Sequence, residues 1–417
     1  MLRFSSASVL LAAGLCACSA GPSLGDRLLV GAAAVDITPT VDGPKPTYLA
    51  GFRTNRVAAG VHDPLWARAI VLEKRGRRVT LVACDLVGLL HGRLGWLTSS
   101  VRGAGELIVC STHSHSGPDT VGLWGPLPLV SGVSGDYLRK VRDAIAEAVQ
   151  RAARDLRPST LFAAEATVEG VCKDIRPPDI RHEEAASLVA RDDSGRAIAV
   201  LVSFAMHPEG MGSGNRLVSS DYPHYLREGL ERDFPGAVAV FVSGDLGGMQ
   251  TPDVREHTWE EIRRVGEAIA VRVRESLAAA PPLEVPELKV ARAPVRFALE
   301  NPRFIAGFRS GLFGTDPEGV IDREGEAYFL RTEVVAVRLG GVEWVTIPGE
   351  AFPEVGREIL RLMEAPHRFL IGLGGDEVGY ILPKEDFDPK KYEESMSLGP
   401  RTAPTLLDAL KQLLKGF

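Results

Sequence analysis

Leu107-Ile108-Val109-Cys110-Ser111-Thr112-His113-Ser114-His115-Ser116-Gly117-Pro118-Asp119 is a short apolar run of strand type that passes directly into a polar, histidine-bearing loop. Open α/β sheets place their ligands at such strand ends. The same succession recurs along the chain. Phe204-Ala205-Met206-His207-Pro208 closes an apolar run, Val345-Thr346-Ile347-Pro348-Gly349-Glu350 closes another, and Gly374-Gly375-Asp376-Glu377-Val378-Gly379-Tyr380 follows a third.

Working outward from these points, short β-branched runs take turns with longer amphipathic ones. Strands are expected from Ala67 to Glu73, Val79 to Cys84, Ala197 to Ala205, Ala237 to Val242, Thr332 to Leu339, Val342 to Ile347 and Phe369 to Gly372. Helices are expected from Asp136 to Arg154, Ser220 to Asp233, His257 to Ala280, Phe352 to Ala365 and Ala403 to Leu414. Near-continuous apolar strands alternating with helices imply an α/β fold whose sheet is buried on both faces. The sheet is expected to be mixed, because the strands flanking Gly340-Gly341 read as a hairpin. The nearest thing to a linker is Ala279-Ala280-Pro281-Pro282 with the extended stretch to Phe297, yet composition does not shift across it. The expectation is therefore one catalytic domain: mixed, mostly buried β-sheet, flanking helices, and an active site on strand-end loops.

Composition narrows the class. With 417 residues, 45% hydrophobic and 24% charged, the chain is globular and not disordered, collagen-like or coiled-coil. Acids (54) outnumber Lys plus Arg (48), and no basic stripe with interleaved aromatics occurs, so nucleic acid is not an expected partner. The 44 glycines and 28 prolines fit many tight connections between short elements. GxGxxG after a strand, a Walker P-loop, GxSxG and HExxH are all missing.

Met1 to Ala20 has the build of an export signal: Arg3, an apolar run from Val9 to Ala17 too short to span a bilayer, then small residues. Leu15-Cys16-Ala17-Cys18 resembles a bacterial lipoprotein box. This reading makes residues 1–17 a lipoprotein signal, Cys18 the lipidated terminus, 18–27 a tether and 28–417 the catalytic domain. The protein is then an exported cell-envelope lipoprotein of the outer membrane or periplasmic face, held to the membrane by its N-terminal anchor. Ordinary cleavage near Ala20 is the alternative. The remaining Cys84, Cys110 and Cys172 are odd in number and contain no CxxC, so neither a disulfide framework nor a cysteine zinc site is expected. Cys84 and Cys110 end apolar runs and read as core residues.

Two or three histidines and a carboxylate on strand-end loops form a ligand set suited to a borderline metal such as zinc with one position open for water. His113 and His115, if extended, project to one side, so both can meet a metal, or one can bind it while the other meets the substrate. Taken singly, Glu350 also reads as a helix-start acid, and Asp376 and Glu377 as loop charges.

At these residues the chain resembles the catalytic domain of the neutral, non-lysosomal ceramidases. The segments that carry the resemblance are Gly31 to Pro39, Gly60-Val61-His62-Asp63-Pro64-Leu65-Trp66-Ala67-Arg68-Ala69, the His-Ser-His-Ser-Gly-Pro run at 113–118, Pro348-Gly349-Glu350, and Gly379 to Phe387 with Lys391-Tyr392-Glu393. The resemblance implies hydrolysis of the amide bond of ceramide or a related N-acyl lipid, with Zn2+ held by His113, His207, Glu350 and Tyr380. It implies that His115 and Tyr392 line the reacting centre as proton donors or oxyanion partners, and that Arg176 contacts substrate. His62 keeps a structural, hydrogen-bonding role. The family's additional C-terminal sandwich domain is not expected.

One departure stands out. Ser243-Gly244-Asp245-Leu246-Gly247-Gly248-Met249 puts Gly247 where the family carries an active-centre serine. Water activated by a metal can attack a carbonyl without that serine. The amides of Gly247 and Gly248 are candidate replacements as oxyanion donors, with the Asp245 loop shaping the floor. Alternatives are a metal hydrolase of a different amide or ester, and a surface lipoprotein that keeps the metal for binding only.

Overall fold

A computed structural model describes residues 26–313 and 319–417. The expected export signal, the lipoprotein box and Cys18 lie outside the described residues.

The first sheet runs in the order Val238–Ser243, Ala197–Phe204, Glu184–Asp192, Arg157–Thr167, Leu29–Asp36, Trp66–Lys74, Arg77–Cys84, Glu106–Ser111. Its central pairs are antiparallel and its two outermost pairs are parallel. Leu29–Asp36 meets Arg157–Thr167 through two register positions only, so the sheet divides there into two halves. A second sheet orders Leu288–Leu299, Ala327–Leu339, Val342–Thr346 and His367–Ile371, with Ile321–Glu324 beside Ala327–Leu339.

Side-chain alternation explains why these strands read as unbroken apolar runs. In Ala197–Phe204, Ala199 and Leu201 enter a core shared with Leu81, Val242 and Trp344, whereas Val200, Val202 and Phe204 pack outward against helices. In Ala327–Leu339 the alternation is Val335 and Val337 inward, Val334 and Ala336 outward. The two halves of the first sheet and the second sheet thus share one central core. Helices cover each outer face: Gly135–Arg154 over the 66–84 side, Tyr222–Asp233 with Trp259–Ala279 over the 197–243 side, and Pro353–Leu362 with Thr402–Lys415 over the second sheet.

The fold is the expected mixed α/β architecture in a single domain. The stretch after Pro281 is not a linker. Leu288–Leu299 is a twelve-residue strand in continuous antiparallel register with Ala327–Leu339, and Pro282–Leu283 adds to the first sheet. This one connection commits both sheets to the same core.

The strand ends are stitched to one another. Gly372 N donates to Ser243 O (2.7 Å), Gly375 N to Val109 O (2.9 Å), His115 N to Pro208 O (3.1 Å) and Ser243 Oγ to Thr112 O (2.8 Å). Loops from both sheets therefore form one bonded floor. Among the described residues no helix is long and apolar enough to cross a membrane.

Candidate metal centre and apolar cleft

Three side chains from three of these loops meet at one carboxylate oxygen. His207 Nε2 lies 3.0 Å and His113 Nε2 3.3 Å from Glu350 Oε2. Each imidazole is oriented through its other nitrogen: His113 Nδ1 bonds Val87 O (2.6 Å) and His207 Nδ1 bonds Gln250 O (2.9 Å). Backbone acceptors at Nδ1 keep the proton there and leave the Nε2 lone pair facing inward, the arrangement that prepares histidine as a metal ligand. Donors bound about 2.0–2.1 Å from one tetrahedral ion lie about 3.3 Å apart. The two separations at Glu350 match that spacing, and the donor chemistry of two imidazoles and a carboxylate suits a borderline ion.

His115 belongs to the same group. The ligand atoms of His113, His115 and His207 all lie within 4.8 Å of one another. The extended geometry expected of this loop is not what brings the rings together. His113 has φ 66°, a left-handed kink that is costly for a residue with a Cβ and turns its ring toward His115. His115 is held from several sides. Arg56, itself buried, donates to the His115 carbonyl, Phe52 packs edge-on against its ring at 5.0 Å, and a Cβ on Gly51 (φ 107°) would sit 2.3 Å from its Cγ. Only glycine permits that approach.

Behind His115 is Glu209, a buried carboxylate whose Oε2 lies 3.0 Å from Nδ1, within ion-pair range but off hydrogen-bond alignment. Burial pushes the His115 imidazole down to about 4, outweighing the pull of Glu209. Burial alone would raise Glu209, yet the contact with His115 and the charge at His207 bring it down to about 2. The pair is therefore a neutral imidazole against an ionised carboxylate, whose charge favours the proton on Nδ1 and leaves the Nε2 lone pair open. Glu209 had a signal in the sequence, two residues after His207, that pattern reading did not pick out. Glu377 is the other addition. Its carboxylate comes within 4.8 Å of the donor atoms of His113 and Glu350, and burial followed by the Glu350 charge raises it well above the carboxylate range.

Tyr380 pairs in register with Glu350 across the short parallel strands Glu350–Ala351 and Tyr380–Ile381. Its buried hydroxyl donates to Met249 Sδ at 3.2 Å. Tyr392, although more than half of the residue is exposed, stands 6.1 Å from the Tyr380 ring, and the partial enclosure of its hydroxyl with the Glu350 charge lifts it to about 12.

Other expected site residues lie apart. Arg176 is engaged by Glu393 (2.9 Å) and Glu394 (2.7 Å), the residues following Tyr392, and stacks on Phe352, so it braces the Tyr392 turn instead of facing the cluster. Asp245 turns away, with Oδ1 2.6 Å from His182 Nδ1 and its carboxylate against Gly356. Gly247 donates its amide to Ala351 O at 2.8 Å, so that amide is not free as an oxyanion donor. His62 bonds Asp63 (2.9 Å) and stacks on Trp259, a structural setting.

A cleft opens from this cluster. His113, His115, Glu350, Glu377 and Tyr380 are among its polar lining, while Leu90, Val121, Trp124, Phe304, Phe308 and Leu398 supply apolar walls.

Fold and site together define a mixed α/β protein with a candidate metal centre of His and Glu donors at the end of an apolar cleft. No family model matches the chain. It is similar to a neutral ceramidase of Drosophila pseudoobscura pseudoobscura, 25% identical in an alignment of 260 residues that covers 52% of this chain and 35% of that protein. The chain thus matches about a third of that curated relative's length. Two solved structures share its fold: a ceramidase complexed with C2 (TM-score 0.75, 19% identity, 93% of this chain and 75% of that one), and neutral ceramidase from Pseudomonas aeruginosa (TM-score 0.74, 20% identity, 94% and 75%). The resemblance to neutral ceramidases thus extends from scattered motifs to nearly the whole described fold.

Proposed function

We propose that this protein is a zinc-dependent amidohydrolase of ceramide or a related N-acyl lipid. The observation that carries the reading is the meeting of His113 Nε2 and His207 Nε2 at Glu350 Oε2, at the polar end of an apolar cleft. Likeness in sequence and fold to neutral ceramidases supports the substrate class.

His113, His207 and Glu350 would hold the ion, and Tyr380, in register beside Glu350, would be the fourth donor. When bound, zinc supplies Lewis-acid polarisation of the acyl carbonyl and acidifies water. The protein's residues do the rest. The apolar walls take the acyl chain and expel water, which strengthens every polar contact at the closed end. His115, neutral and with Nδ1 held by Glu209, accepts a proton at Nε2 and returns it to the departing amine. Tyr392 keeps its proton and donates it as a hydrogen bond to the oxygen that gains charge. Arg176 holds the turn that presents Tyr392. No side-chain nucleophile is required.

The reading is tested by zinc analysis of purified protein together with fatty-acid release from a short-chain fluorescent ceramide, with and without chelator. Zinc-loaded protein that leaves ceramide and a panel of N-acyl amides untouched would overturn it. The membrane anchor at Cys18 and the envelope location are part of the same proposal, tested by palmitate labelling of wild type and Cys18→Ser.

A further inference from the structure

The loop between Asp119 and Gly132 has a pinned base and a bare apolar tip. The buried Asp119 carboxylate accepts from four amides of this loop: Val121 (3.0 Å), Gly122 (2.7 Å), Trp124 (3.1 Å) and Gly132 (3.0 Å). Four bonds to one carboxylate fix the loop's path without help from its far end. Near the base, Val121, Leu123 and Trp124 line the cleft. Beyond them the chain carries Leu127, Leu129 and Val130 into solvent at 63%, 82% and 44% exposure. These are three of the eight large hydrophobic side chains exposed on the described surface. Leu129 is held there with φ 64°, a backbone state that costs a branched side chain energy and brings it no packing. One short loop therefore carries apolar side chains both in the cleft lining and on the protein surface.

Exposed arginines stand on the two elements that hold this loop. Asn55 N donates to Gly125 O, which sets the Phe52–Arg56 turn beside the loop, and a Cβ on Gly122 would meet Leu312 O at 2.3 Å, which sets the segment after the Pro302–Ser310 helix against its other side. Arg53 on the turn and Arg303 and Arg309 on the helix are exposed and make no ion pair among the described residues. An apolar tip with exposed arginines on the elements beside its loop complements an anionic lipid surface, where aliphatic side chains enter the acyl boundary and guanidinium groups meet headgroups.

We infer that the 125–131 tip docks the protein on an anionic bilayer and opens the cleft directly to the acyl phase, so that lipid substrate passes from membrane to site along Leu127, Leu123 and Trp124 without crossing water. The inference rests on the lipid-substrate reading for its purpose but not for its test. In a full chain with Cys16 and Cys18 replaced by Ser, Leu127→Cys is labelled with an environment-sensitive fluorophore; Cys84, Cys110 and Cys172 are buried and do not compete. Vesicles of phosphatidylcholine and phosphatidylglycerol should raise its emission about twofold or more, and lipid-borne quenchers should reverse the rise. Unchanged emission overturns docking at the tip.

The triple variant Leu127→Ser, Leu129→Asn, Val130→Ser should lower both vesicle binding and turnover of a vesicle-borne N-acyl lipid about tenfold or more, with turnover of a soluble short-chain N-acyl amide unchanged. An equal loss on the soluble substrate overturns the inference, as does a wild-type dimer that the triple variant dissociates, since the tip is then an interface between copies. Tip-dependent vesicle binding without turnover of any N-acyl amide supports docking and overturns the amidohydrolase reading instead.

Discussion

Glu350 Oε2 lies 3.0 Å from His207 Nε2, although Glu350 follows a strand of the second sheet and His207 a strand of the first. Both groups are buried, and a buried donor and acceptor brought so close from separate sheets need either a shared proton or a shared cation to offset their desolvation. A third donor, His113, comes to the same oxygen, which a proton cannot bridge as well as a divalent ion can. The protein is expected to bind one zinc ion per chain, and chelation is expected to abolish turnover and lower Tm, because an ion bound only by the folded state stabilises it. His207→Ala should weaken zinc binding by more than about 100-fold. Zinc titration followed by calorimetry and thermal melting measures both. Equal zinc affinity in His207→Ala would remove His207 from the ligand set.

Glu209 Oε2 lies 3.0 Å from His115 Nδ1, where its charge favours a proton on that nitrogen. Glu209→Gln should leave zinc content unchanged and lower kcat about 10- to 100-fold, the usual cost of losing an orienting carboxylate. Because Gln can still accept at Nδ1 but carries no charge, the acidic limb of the kcat profile should move to lower pH: an imidazole without its carboxylate is harder to protonate. A pH–rate series on both proteins reads this. An unshifted limb would mean that Glu209 supports the loop and not the proton on His115.

Much of this was legible in the sequence because the strands are buried on both faces. Ala197–Phe204 and Val238–Ser243 read as continuous apolar runs, and the loops after them carry His207 and Asp245 where an α/β sheet places its ligands. Less legible were strands whose side chains alternate between core and solvent. Leu288–Leu299 carries Lys289 on one face and Arg292 and Arg296 on the other, so no continuous apolar run marks it after Pro281-Pro282; its register with Ala327–Leu339 makes it a strand. Arg157–Thr167 alternates in the same way, so no apolar run marks it in the sequence.

At the site, sequence pattern brought forward the residues at strand ends but not the direction of each side chain. Asp245 sits in the right loop and points to His182, and Glu209 sits two residues past a candidate ligand and points to His115. Direction depends on kinks such as φ 66° at His113, which no spacing rule reports.

The His182–Asp245 pair predicts a pH dependence of stability. Burial lowers the affinity of the His182 imidazole for a proton, but the Asp245 charge and bond overcome this and raise it. A histidine raised in the folded state contributes stability that is complete below its unfolded value of about 6.5 and is lost as pH rises through the folded value. Urea unfolding of the wild type should therefore show stability falling from about pH 6.5 upward relative to His182→Gln, which cannot titrate. Parallel pH profiles for the two proteins would rule out an ionised pair.

Gly247→Ser is the most direct test of how the site dispenses with the serine that neutral ceramidases are expected to carry there. A Cβ at Gly247 would lie 2.6 Å from Glu350 O and 2.7 Å from Ala351 C and O. All three are backbone atoms of the strand that presents Glu350, so the clash cannot be relieved by a rotamer change. The amide of Gly247 is already bonded to Ala351 O, which ties the two segments together and leaves no room to back away. The substitution should cost about 1–3 kcal/mol of stability, as overpacking does, and displace Glu350 from His113 and His207. Lower Tm, weaker zinc binding and reduced turnover are the expected results, each measured on the purified variant. A serine that left Tm unchanged and raised turnover would show instead that the loop opens to accept a hydroxyl at the reacting centre.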